Sequence, residues 1–114
     1  MPDLIGHLKL QFMETKGYIY MMTNSSNKVL YIGVTNSLKR RITEHADGRG
    51  SSFTSKYNCH KLVYYEVLPD IEQAIAREKQ LKHFQRAWKE DLVNRFNPGW
   101  EDLGVSIIAN PNVV

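Results

Sequence analysis

The sequence predicts an α+β domain, a small three-stranded antiparallel sheet flanked by helices in the order β-β-α-β-α-α. Three observations predict it. GYIYMM and KVLYIGV are short runs rich in β-branched and aromatic residues, and HKLVYYEVL repeats that signature further along. Polar turn chemistry separates the first two runs. Longer stretches with apolar residues at helical spacing follow the second and third.

Taken in order, GYIYMM and KVLYIGV flank Asn24, Ser25, Ser26 and Asn27, whose short polar side chains bond nearby backbone and tolerate unusual dihedrals. Together they form a β-hairpin. Asn36 and Ser37 then cap a short helix, LKRRITEHA, with Leu38 and Ile42 one turn apart. GRGSSFTSKYN has the composition of a flexible loop. HKLVYYEVL is the third strand, closed by Pro69 and Asp70. Asp70 caps IEQAIAREKQLKHFQRAW, the longest helical pattern, and KEDLVNRF is a further short helix that Pro98 cannot continue. Residues 17–103 thus form the predicted domain, with 1–16 a peripheral extension and 104–114 a peripheral tail.

Composition narrows the class. A chain of 114 residues is one domain with a single modest core, and 42% hydrophobic with 24% charged residues suits a folded globular protein. No apolar run approaches bilayer length, and MPDLIGHLKLQF lacks the plan of a signal peptide. The lone Cys59 excludes an internal disulfide and reads as an inert thiol, so the cytoplasm is the expected compartment and no membrane partner is expected. Nothing in the sequence speaks to oligomeric state. A net charge of +3 says little, but basic residues gather in two stretches, Arg40 to Lys61 and Lys79 to Lys89. They read either as solvated faces or as one patch for phosphates.

Three positions break the local patterns. A turn centred between Ser25 and Ser26 sets Asn24 opposite Asn27 and Tyr20 opposite Tyr31, on one face of the sheet. Aromatic packing accounts for such a pair. In the first helix, however, Arg41 and His45 share the side of Leu38 and Ile42, where a core-facing stripe should be apolar. In the long helix, Glu78 projects into the arc marked by Ile71, Ala74, Ile75 and Leu81. An Arg41–Glu78 ion pair, or a rim position for Glu78, would explain that charge. Convergence of all three breaks on one face would instead mark a functional site.

These residues resemble a known family. Tyr18-Ile19-Tyr20 and Tyr31-Ile32-Gly33, with tyrosines 20 and 31 eleven residues apart, resemble the signature strands of the GIY-YIG nuclease domain. LKRR with His45 one turn later resembles its first helix, AREKQLK the helix of its metal-binding glutamate, and FNPGWEDL the segment of its late asparagine. The resemblance runs in order over residues 17 to 103 and is closest to the small stand-alone bacterial members. In one departure, Gly17 precedes its motif by one extra residue. The resemblance implies a metal-dependent endonuclease that hydrolyses DNA phosphodiester bonds. Glu78 would hold Mg²⁺ or Mn²⁺, and Arg41 would bind the scissile phosphate. Tyr20 and Tyr31 would orient or deprotonate the attacking water. Asn97 would support the site, and His45 stands at a position that is often histidine. Arg40, Arg49, Lys56 and Lys82 would grip DNA backbone.

The roles are chemically sound. One carboxylate with waters and a phosphate oxygen suits Mg²⁺, which keeps much of its hydration. The arginine fork fits phosphate oxygens at any working pH. Tyrosine, with an ordinary pKa of about 10, needs neighbouring positive charge or a relay to act as a base. Two other classes compete: a nucleic-acid-binding module without catalysis, and a protein-interaction domain with an internal ion-pair network. Phosphate contacts carry no sequence information, so weak sequence preference is expected, with branched, damaged or single-stranded DNA as candidate substrates. Trp88 and Trp100 are expected in the core.

Overall fold

The computed structural model describes residues 16–47 and 52–110. Alternating side chains make the sheet two-sided. Strands β1 (Gly17–Thr23), β2 (Leu30–Thr35) and β3 (Lys61–Leu68) form one antiparallel sheet in the order β2-β1-β3. The expected α+β architecture and element order hold. Tyr18, Tyr20 and Met22 of β1 enter one core, with Leu38, Ile42, Cys59, Leu62 and Ile107. Ile19 and Met21 enter the other, with Ile32, Val63, Ala74, Leu81 and Val93. All seven β1 residues are buried, which is why this strand reads as a continuous apolar run.

The hairpin is longer than its turn residues suggest. Asn24 Oδ1 accepts hydrogen bonds from the backbone of Lys28 and Val29, and Asn27 adopts φ 59°. This widened loop moves the register by two residues from the expected one. Tyr20 faces Gly33 and Tyr31 faces Met22. An even shift keeps both tyrosines on one face, as diagonal rather than direct neighbours.

Helix α1 (Leu38–Ala46) starts as expected, with Ser37 Oγ accepting from Arg40 N at 3.3 Å. The stretch expected to be a flexible loop contains a short helix, α2 (Ser52–Lys56), after which the thiol of Cys59 is buried. Asp70 caps α3 (Ile71–Lys82) by accepting from Gln73 N at 2.8 Å. The long helical pattern does not run on to Trp88. It stops at Lys82, turns through residues 83–85, and resumes as α4 (Arg86–Phe96). The turn returns Val93 to the sheet, where it is fully buried.

The two helical layers lie on opposite faces. Helix α1 and helix α5 (Gly104–Ala109) cover the Tyr18, Tyr20 and Met22 face, and α3 and α4 cover the other. Close approach of α3 to β1 requires Gly17, because a Cβ there would collide with Asp70 O and the first turn of α3. The glycine that precedes the first tyrosine motif therefore serves packing.

The segment beyond residue 103 is not peripheral where the structure describes it. Helix α5 inserts Ile107, 1% exposed, beside Leu38 and Ile42. Its apolar spacing is too short to be read as helical, but the face of the sheet left open beyond α1 has to be covered. The polypeptide just before α5 also covers the outer edge of β3. Leu103 N donates to Leu62 O at 2.8 Å, and Leu62 N donates to Asp102 Oδ1 at 3.1 Å. Two further expectations change. Ile75 is exposed rather than part of the apolar arc, and Trp88 is exposed rather than core, while Trp100 packs at the edge of the second core as expected.

Substitution of Ile107 by alanine should lower unfolding free energy by about 3 kcal/mol in urea denaturation. The same change at Ile108, 40% exposed on the same helix, should cost less than about 0.5 kcal/mol.

Candidate active site

The face that carries α1 gathers four of the sequence-derived site residues. Tyr20 and Tyr31 have ring centroids 6.2 Å apart at 50°. His45 closes a triangle, edge-on to Tyr20 at 5.9 Å and to Tyr31 at 6.4 Å. Arg41, one turn before His45, borders the same group and acts electrostatically on both Tyr20 and His45. The helix anomaly thus has a local cause: Leu38 and Ile42 anchor α1 to the core, and the same side of the helix carries Arg41 and His45 onto the tyrosines.

Gly33 makes the tyrosine arrangement possible. A Cβ at this position would fall inside the Tyr20 ring and hydroxyl, so the phenol lies directly across the bare Cα of its cross-strand partner. The final glycine of the second motif is a requirement of Tyr20 packing, a role the spacing of the tyrosines did not reveal.

Burial divides the two tyrosines. Tyr20 is 1% exposed, while Tyr31 lies half-buried on the edge strand. Desolvation by burial, then the neighbouring Tyr31, pushes the Tyr20 hydroxyl well above the ordinary tyrosine range, although Arg41 opposes this. His45 is held below the ordinary histidine value, first by burial and then by Arg41, so its imidazole is neutral at pH 7. Two nitrogens on this face are buried without a hydrogen-bond partner among the described residues: Arg41 Nε and His45 Nε2. Glu44 Oε1 sits 3.9 Å from Arg41 Nε, too far for a hydrogen bond. Buried groups of this kind call for a ligand or water.

The remaining predicted residues lie elsewhere. Glu78 belongs to α3, whose core residues Ala74 and Leu81 pack on the other face of the sheet. Helix α3 packs on β1 and on the edge strand β2, the strand that carries Tyr31. Glu78 is paired with Lys82, Nζ to Oε1 3.4 Å, and its side chain is 16% exposed. The Arg41–Glu78 pair considered from sequence is replaced by two within-helix pairs, because each partner is nearer along its own helix. Asn97 lies under β3. Its Nδ2 donates to Val63 O at 3.1 Å and to Glu101 O at 2.8 Å, while its Oδ1 accepts from Glu101 N. The β1–β3 register shifts at Met21 and Met22, and Val63 is the residue passed over. Asn97 therefore satisfies the carbonyl of a β-bulge and ties the chain after α4 to the sheet.

Among the proposed backbone-binding residues, Arg40 bonds Asn36 and pairs with Glu44, Lys56 lies over the Tyr57 ring at 5.5 Å, and Lys82 is held by Glu78. Arg49 falls outside the described residues. No helix among the described residues is long and apolar enough to cross a membrane.

With this geometry in hand, comparison with known proteins is specific. The family model for the GIY-YIG catalytic domain matches residues 16–91, from the start of β1 through the first turns of α4. The chain belongs to the GIY-YIG catalytic domain family. A UPF0213 protein of Syntrophus aciditrophicus is 34% identical over 85 residues, spanning 74% of this chain and 95% of its own. A UPF0213 protein of Natronomonas pharaonis is 33% identical over 81 residues, 71% of this chain and 94% of its own. The solution NMR structure of a UPF0213 protein from Bacillus halodurans superposes with a TM-score of 0.50 at 31% identity, covering 76% of this chain and 92% of that one. As a GIY-YIG domain the chain falls in a nuclease family, and Tyr20, Tyr31, Arg41, His45 and Glu78 all lie inside the matched span. Asn97 lies beyond it.

Two measurements check this geometry. Gly33→Ala should lower stability by about 2 kcal/mol through overpacking against Tyr20. Tyr20→Leu should relieve part of that strain, so the double variant falls short of additivity in a urea-denaturation cycle. Stability should also fall as pH drops below about 6.5, where the unfolded chain protonates His45 and the folded one does not. Replacing His45 with asparagine should flatten that part of the pH profile.

Proposed function

We propose that this GIY-YIG domain is a metal-dependent endonuclease hydrolysing DNA phosphodiester bonds. The observation that carries the reading is the triangle of Tyr20, Tyr31 and His45 beside an arginine whose buried Nε has no hydrogen-bond partner among the described residues.

The two tyrosines take different roles. Tyr20, buried and held protonated, orients Tyr31 through the side-chain hydrogen bond between them. Tyr31, half-buried at the edge of the sheet, is the one that water reaches. It orients the attacking water and takes its proton, with the neutral His45 beside it as the next acceptor. Attack on phosphorus forms the new P–O bond as the bond to the leaving sugar oxygen breaks. Arg41 donates to a phosphate oxygen and balances charge there, the preorganised donor on which phosphoryl chemistry relies.

The donor set fits a hard cation with few protein ligands. Glu78 is a partly buried carboxylate with a lysine neighbour, and no group of three His, Cys, Asp or Glu side chains suited to a metal occurs among the described residues. Mg²⁺ or Mn²⁺ held by Glu78 and water would neutralise charge on the phosphate and leaving oxygen. Asn97 supports the sheet that carries the site rather than the reacting atoms. Arg40, Arg49, Lys56 and Lys82 contact backbone without reading sequence.

Purified protein with supercoiled plasmid and Mg²⁺ or Mn²⁺ should produce nicked and linear DNA. Tyr31→Phe, Arg41→Ala and Glu78→Ala should each lower the rate at least about 100-fold. Equal cleavage by Glu78→Ala would remove the metal assignment. Binding without cleavage under either metal would leave a nucleic-acid-binding module.

A further inference from the structure

Trp88, expected in the core, is 57% exposed at the start of α4. Its ring meets Phe84 edge-on, centroids 5.3 Å apart at 84°. Phe84 is itself packed against the second core, so it anchors the indole instead of sharing its exposure. Cations flank Trp88 in sequence, with Glu90 and Asp91 following. Lys82 and His83 end α3, and Arg86 and Lys89 begin α4 on either side of Trp88. Arg86 Nη2 donates to Asn27 O at 3.0 Å, which locks this turn to the tip of the β1–β2 hairpin.

We infer that Trp88, buttressed by Phe84, is a stacking platform for an unpaired base of single-stranded nucleic acid, with Lys82, His83, Arg86 and Lys89 receiving the flanking phosphates. The inference rests on the reading of the domain as a DNA-acting enzyme. An aromatic face set among cations is how proteins hold single strands, since every base has a π-face and every nucleotide a charge. Arg86 is paired with Glu90 at 3.8 Å, an exposed pair that separates readily when phosphate competes, while Lys82 reaches out from the partly buried Glu78 at 3.4 Å. Lys82 also links the platform to Glu78, one helical turn away. The platform would favour substrates that carry an unpaired segment.

The test reads binding without cleavage. Fluorescein-labelled single-stranded and duplex oligonucleotides of one length are titrated with protein in EDTA, for wild type, Trp88→Ala and Trp88→Phe. Trp88→Ala should weaken single-strand binding about tenfold and leave duplex binding unchanged, Trp88→Phe should retain most of the affinity, and the slope of affinity against salt should stay constant. Circular dichroism should show all three folded. Equal single-strand affinity for Trp88→Ala and wild type would overturn the platform. So would equal weakening on single strands and duplex, or a change confined to self-association in sedimentation, which would mark a protein interface. Plasmid cleavage by Trp88→Ala separates the two readings: intact cleavage with unaltered single-strand binding removes the platform and leaves the nuclease, whereas wild type that neither binds nor cleaves DNA removes both.

Discussion

The phenol of Tyr20 lying across the bare Cα of Gly33 is the contact on which the arrangement of this face depends. Without a side chain at Gly33, the ring lies flat between strands, buried and in hydrogen-bonding reach of Tyr31. Tyr31 is then left half-buried on the edge strand, and His45 closes on both rings from α1. One missing methyl group thus sets which tyrosine is buried and which meets water. The close approach at Gly17 does the same work at the other end of β1, drawing α3 onto the sheet.

The rest of the fold holds that face steady. The β3 edge would be open, but Asp102 and Leu103 take its backbone groups, and Asn97 satisfies the bulge at Val63. A second polar brace lies beside it: Arg77 grips Glu66 through two bonds of 2.9 and 3.0 Å, and Glu66 accepts from Tyr64. Desolvation first, and then Glu66, holds the Tyr64 hydroxyl well above its ordinary range. Both braces sit on the β3 side, away from β2. The β2 edge instead carries the half-buried Tyr31.

Charge is distributed in keeping with that division. Arg77 and Glu66 satisfy one another in a partly buried site. Arg41 Nε has no hydrogen-bond partner among the described residues, and the Arg86–Glu90 pair is exposed and weak.

Local chemistry determined much of this protein. Strand composition, the caps at Ser37 and Asp70, and the ordered motifs specify three strands, the main helices and a GIY-YIG domain, because these depend on neighbours within a few residues. The same-face pairing of Tyr20 and Tyr31 was legible too, since strand parity survives a shift of two. Tertiary structure decided the remainder. The register followed from a loop that Asn24 widens by bonding across it. The break after Lys82 returns Val93 to the sheet, and the burial of Ile107 followed from a face that needed covering. Helical periodicity put Glu78 on an apolar arc, yet periodicity cannot say which face of the sheet a helix will cover. The same limit hid Trp88, whose exposure arises only because the chain turns at residues 83–85.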